Sequence, residues 1–148
     1  YCWGYGFNGQ IGNGDNANVN MPTPVALPIG VNSFSTLSTN ANFACAIANT
    51  GIVYCWGDGS SNGQIGNGAN VSVNVPTAVV MPSGVTSFTA ISTNSNFSCA
   101  LANTGAAYCW GSGGSGQIGN GDSSDINVPT LVAMPNGVTS FSSISTNG

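Results

Sequence analysis

Short apolar runs punctuated by proline, glycine and asparagine recur along this chain, and none of them keeps a helical period. PTPVALP (22–28), PTAVVMP (76–82) and PTLVAMP (129–135) are bracketed by prolines and read as strands. After a Gly-containing turn come NSFSTLSTN (32–40), TSFTAISTN (86–94) and TSFSSISTN (139–147). Within them Phe34 and Leu37, or Phe88 and Ile91, stand three apart, which breaks strict alternation and predicts a bulge. FACAIA (43–48) and FSCALA (97–102) follow, and IVYCWG (52–57) and AAYCWG (106–111) close the unit. Gly, Asn and β-branched residues oppose helix throughout. The chain is therefore expected to be all-β, with four-stranded antiparallel units at about 22–57 and 76–111.

The last two strands of each unit fix their own register. They flank Asn49-Thr50-Gly51 and Asn103-Thr104-Gly105, three-residue hairpin loops with Gly where a left-handed backbone is required. Pairing Ala48 with Ile52 sets Cys45 opposite Cys55, and pairing Ala102 with Ala106 sets Cys99 opposite Cys109. Directly opposed residues are close enough for a disulfide after modest adjustment. Disulfides Cys45–Cys55 and Cys99–Cys109 are expected; the alternative is buried free thiols used as small hydrophobes. Disulfides would place the chain in an oxidising compartment, extracellular or at a cell surface. By the same spacing, the partner of Cys2 falls outside this segment.

Repetition is stronger than any single motif. YCWG stands at 1–4, 54–57 and 108–111, and GQIGNG at 9–14, 63–68 and 116–121. Self-similarity at this period marks a propeller, solenoid or array whose copies need neighbours. The repeats run over about 1–53, 54–107 and 108–148, the last truncated, in one array. The array is expected to continue on both sides or to be completed by neighbouring chains.

Composition then removes whole classes of function. The chain of 148 residues has no Lys, Arg or His, and its only charged side chains are Asp15, Asp58, Asp122 and Asp125. Without cations there is nothing to neutralise phosphates, so no nucleic-acid partner is expected. Anionic membrane surfaces are excluded likewise, and no run of about 20 apolar residues is present to span a bilayer. A hydrophobic content of 41% still permits a folded core.

Residues YCWGDGSSNGQIGNG (54–68), with their shorter versions at 1–14 and 108–121, resemble the repeat of the regulator of chromosome condensation family. The resemblance covers essentially the whole chain. It implies four-stranded blades of a β-propeller, normally seven about an axis. The nuclear member is a guanine-nucleotide exchange factor that docks on chromatin through charged loops. Lacking basic residues, this chain is expected to do neither. Its paired cysteines fit secreted relatives, which act as binding or surface proteins.

The motif residues read first as structure. Gly12, Gly66 and Gly119 would allow close backbone approach, Gln10, Gln64 and Gln117 would bond buried backbone, and the tryptophans would pack between blades. The rival is an aromatic row of Trp3, Trp56 and Trp110 stacking on a glycan. Catalysis lacks material, since four Asp have no His, Lys or Glu to work with. No cofactor is expected; calcium, at Asp122 and Asp125, is the one ion whose ligand chemistry the chain offers. Asn70 and Asn96 head glycosylation sequons. The reading that results is a non-catalytic extracellular structural protein, a self-associating block of a fibre, sheath or layer. A β-propeller binding module, adhesin or inhibitor, is the alternative.

Overall fold

Proline and the hairpin glycines set where the strands end. In the computed structural model, which describes residues 1–147, every regular element is a strand. The first two are β1 (Cys2–Gly4) and β2 (Val19–Thr23), which pair with each other. One four-stranded sheet holds β3 (Phe34–Thr39), β4 (Phe43–Ala48), β5 (Val53–Gly57) and β6 (Val73–Ala78), in that order. A second repeats it with β7 (Phe88–Thr93), β8 (Phe97–Ala102), β9 (Ala107–Gly111) and β10 (Ile126–Leu131). All neighbours are antiparallel.

The hairpins follow the register read from their loops. Cys45 faces Cys55 and Cys99 faces Cys109, each pair with Cα atoms 4.1 Å apart and joined as a disulfide. Gly51 and Gly105 take the left-handed backbone at φ +81° and +83°. The bulges are also present, between Phe34 and Thr36 and between Phe88 and Ala90.

The phase of the sheets differs from the expected units 22–57 and 76–111. The proline-bearing run ends a sheet instead of opening one: β2 pairs with β1, β6 with β5 and β10 with β9. The sheets therefore span 34–78 and 88–131. Proline cannot donate to a ladder, so Pro22, Pro76 and Pro129 sit on edge strands, each inside a register shift. The expected strand at 139–147 forms no ladder among the described residues. It lies where β3 and β7 lie in their copies, with the Phe141 N–H donating to Gly105 O as Phe88 donates to Gly51 O.

The two sheets pack against each other along β3, β4 and β7. Between them lies the main core. Phe43, Cys45, Ile47, Val53 and Cys55 of the first sheet meet Phe88, Ile91, Ala100 and Trp110 of the second. Val79 and Val85, on the connection between sheets, close it. Each such large side chain contributes roughly 1.5–3 kcal/mol when fully buried.

Candidate functional site

The repeated motif builds a joint between consecutive copies. Trp56 on β5 reaches back to the loop of the first copy, where its indole Nε1–H donates to Gln10 O at 3.0 Å. Trp110 on β9 repeats this on Gln64 O at 2.9 Å. Gly12 and Gly66 lie against these indoles at φ +76° and +77°, where a Cβ would come within 2.6 and 2.5 Å of the ring nitrogens. The intervening Ile11 and Ile65 are buried with them. Each Gln also shapes its own loop: Asn8 N donates to Gln10 Oε1, and Asn62 N to Gln64 Oε1. Gln64 Nε2 is buried with no partner among the described residues, an uncompensated cost of about 1–3 kcal/mol.

A clamp of asparagines holds the outer end of the same joint. Gly14 N donates to Asn74 O at 2.9 Å, while Asn74 Nδ2 donates to Gly14 O and Asn16 Oδ1. One copy on, Gly68 N donates to Asn127 O at 2.9 Å, and Asn127 Nδ2 donates to Gly68 O and Asn70 Oδ1.

The inner end is held by residues that sequence reasoning had treated only as the end of a strand. Ser38 and Thr93 share a hydroxyl bond of 3.0 Å, and Thr93 N donates to Ser38 Oγ. Ser92 and Thr146 repeat both contacts, and Asn40 Nδ2 donates to Asn94 O at 2.8 Å. The signal was present in the thrice-written Ser-Thr-Asn at 38–40, 92–94 and 145–147.

The tryptophans do not form an exposed row. Trp56 and Trp110 are 1% and 0% exposed, and only Trp3, at 62%, presents its ring to solvent. The acids serve loops. Asp125 Oδ1 accepts from Gly113 N, the place that Asn18 Oδ1 and Ser72 Oγ take for Gly6 N and Gly59 N. With Asn62 Nδ2 donating to its other oxygen, the Asp125 carboxyl is held below the usual range. Burial pushes the Asp58 carboxyl up, but donation from Ser60 N–H, Ser60 Oγ and Ser72 Oγ outweighs it and leaves it lowered. Asp122 Oδ1 accepts from Ser123 N and Ser124 Oγ. Among the described residues no three His, Cys, Asp or Glu side chains gather as a metal site. In the sequons, Asn96 is exposed but Ser98 is buried, and Asn70 lies in the clamp.

The Regulator of chromosome condensation (RCC1) repeat matches residues 1–47, 50–101 and 104–146, nearly the whole chain. The chain belongs to the RCC1 repeat family. It is 31% identical to the human E3 ubiquitin-protein ligase HERC2 over 134 residues, covering 89% of this chain and 3% of that protein. It is 28% identical to the Ultraviolet-B receptor UVR8 of Arabidopsis thaliana, covering 93% of this chain and 30% of the receptor. The structure of Prp20p from Saccharomyces cerevisiae superposes with a TM-score of 0.76 at 25% identity, covering 91% of this chain and 34% of that one. Human WBSCR16 gives 0.74 at 25% identity, covering 88% and 32%. The chain thus spans about a third of these propellers and a small part of HERC2, and its sheets are blades of a partial propeller. RCC1 repeats are out of step with RCC1 blades here: repeat 50–101 supplies β5 and β6 to one sheet and β7 and β8 to the next.

Proposed function

We propose that this chain is a non-catalytic, protein-binding segment of a β-propeller that works in an oxidising, extracellular setting. The observation that carries this reading is what becomes of the motif: the Trp56 and Trp110 indoles, the Gln10 and Gln64 backbone carbonyls and the Gly12 and Gly66 backbones are taken up by joints between copies. What remains for function is the surface that the joined blades present. Two disulfides support the oxidising setting. Prp20p of Saccharomyces cerevisiae binds Gsp1p and histones, and yeast RCC1 (Prp20) binds Kap60, so association is work this fold supports. A basic partner finds little here, because the carboxylates are only four and each accepts a hydrogen bond from a backbone N–H of its own loop. The partner expected is a neutral polar or apolar protein surface, bound with little salt dependence.

A second reading, in which the partner is the chain's own kind in a surface fibre or layer, is favoured by one observation. Only four side chains, all Asp, carry charge across 148 residues. A surface with so few charges opposes such stacking weakly. Light scattering across a concentration series, with electron microscopy of the same sample, separates the two. A monomer at every concentration rules out the assembly; regular filaments rule out the solitary binding module.

A further inference from the structure

Of all the asparagines, only Asn70 and Asn96 head an Asn-x-Ser/Thr sequon, as Asn70-Val71-Ser72 and Asn96-Phe97-Ser98. The fold treats the two differently. Asn70, Val71 and Ser72 are all exposed, on the loop between β5 and β6. Ser98 is 0% exposed, shut between the sheets with its Oγ donating to Gln64 O at 3.4 Å. The clamp also decides which atom of the Asn70 amide faces away from the joint. Asn127 Nδ2 donates to Gly68 O, which can only accept, so the second partner of that nitrogen must accept as well. That partner is Asn70 Oδ1, at 3.0 Å and turned in against Gly63. Asn70 Nδ2 therefore points away from the clamp and makes no hydrogen bond among the described residues. Asn16 holds the same place one copy earlier, exposed and clamped through Oδ1, although both later copies follow it. There the run is Asn16-Ala17-Asn18, and in the third copy it is Ser123-Ser124-Asp125. Only the middle copy joins such an amide to a hydroxyl two residues on.

We propose that Asn70 is the acceptor of an N-linked glycan, carried beside the joint between copies without opening it. The donor is an oligosaccharide joined through pyrophosphate to a membrane lipid, and a transferase of the secretory route catalyses the step. Asn70 Nδ2 bonds to the anomeric carbon of the first sugar, and the bond from that carbon to the pyrophosphate oxygen breaks. The lipid pyrophosphate leaves with the electron pair, and the amide gives up one proton. Nothing is oxidised or reduced. The product keeps its Oδ1 carbonyl, so the bond from Asn127 Nδ2 survives. The loop that bears Asn70 leaves β5 at the end opposite hairpin loop 49–51. A bulky, soluble glycan there shields the polar-loop end of the blades and leaves the hairpin end to a protein partner. The proposal rests on the extracellular reading, because such donors are met on the secretory route.

The test is secretion of the protein from a eukaryotic host, with chymotryptic glycopeptides mapped by mass spectrometry before and after treatment with a peptide-N-glycosidase. The expected result is a mass shift of one glycan at Asn70 that the glycosidase removes. Asn70→Asp should abolish it while keeping an acceptor for Asn127 Nδ2, so the clamp and the fold are retained. Ser72→Thr preserves the sequon and should preserve the glycan. Asn96 should carry far less, because closure of the sheets withdraws the Ser98 hydroxyl. A secreted chain with both disulfides closed and Asn70 bare overturns the proposal and leaves the extracellular reading standing. A glycan found at Asn96 alone, or a shift that survives Asn70→Asp, has the same meaning. Recovery of Cys45, Cys55, Cys99 and Cys109 as free thiols from the secreted chain would instead overturn the extracellular reading, and the proposal with it.

Discussion

A Cβ at Gly66 would come within 2.5 Å of the Trp110 indole nitrogen, whereas a Cβ at Gly84 would meet nothing within 4 Å. Both glycines hold a left-handed backbone, at φ +77° and +79°, so alanine strains the chain equally at either. Gly84→Ala is expected to cost roughly 1–3 kcal/mol from strain alone. Gly66→Ala adds an overpacking cost of about 1–3 kcal/mol at the joint. Urea midpoints measure the difference, and equal losses would mean that the Trp110 contact can give way. The recurrence of Trp, Gln and Gly was legible in the sequence. Which copy's Trp meets which copy's Gln was not, because a repeat looks the same whether its motif closes on itself or on its neighbour. Ser38 and Thr93 were overlooked for a related reason: a hydroxyl at a strand end declares no partner until the sheets are placed side by side.

Each hairpin shows how a short loop determines much of an element. Three loop residues with Gly last leave one pairing, and that pairing brings the cysteines together. Replacing Cys99 and Cys109 by Ala is expected to cost about 2–3 kcal/mol, the range for a disulfide closing a short loop. Thermal unfolding of the double variant checks the value; an unchanged Tm would mean that the sheet alone sets the hairpin's stability. The sheet phase was not legible at this scale. A proline in an apolar run tells that the strand lies at an edge, but it does not say which edge. The answer came from tertiary pairing, where β6 meets β5 across a register shift that accommodates Pro76.

At the scale of the whole molecule, charge is scarce and of one sign. The net charge is −4 with no basic side chain to oppose it. Asp58 and Asp125 have lowered pKa values in the folded chain, so their stabilisation is complete above the usual carboxylate range, near 3.9. It is lost as pH falls through the lower folded values. Acid should therefore weaken the fold while removing the only side-chain charges that keep molecules apart. Turbidity and urea midpoints followed from neutral pH down to about 2 measure both effects, and Asp58→Asn should flatten part of the stability profile. A stability that rises on acidification would contradict the loop bonds at both carboxylates. The stagger between repeat and sheet also bears on how such a gene changes length. A duplication or deletion of one period of 53 or 54 residues, started at any codon, rejoins half of one blade to the matching half of another. Each sheet in the resulting array still has its four strands.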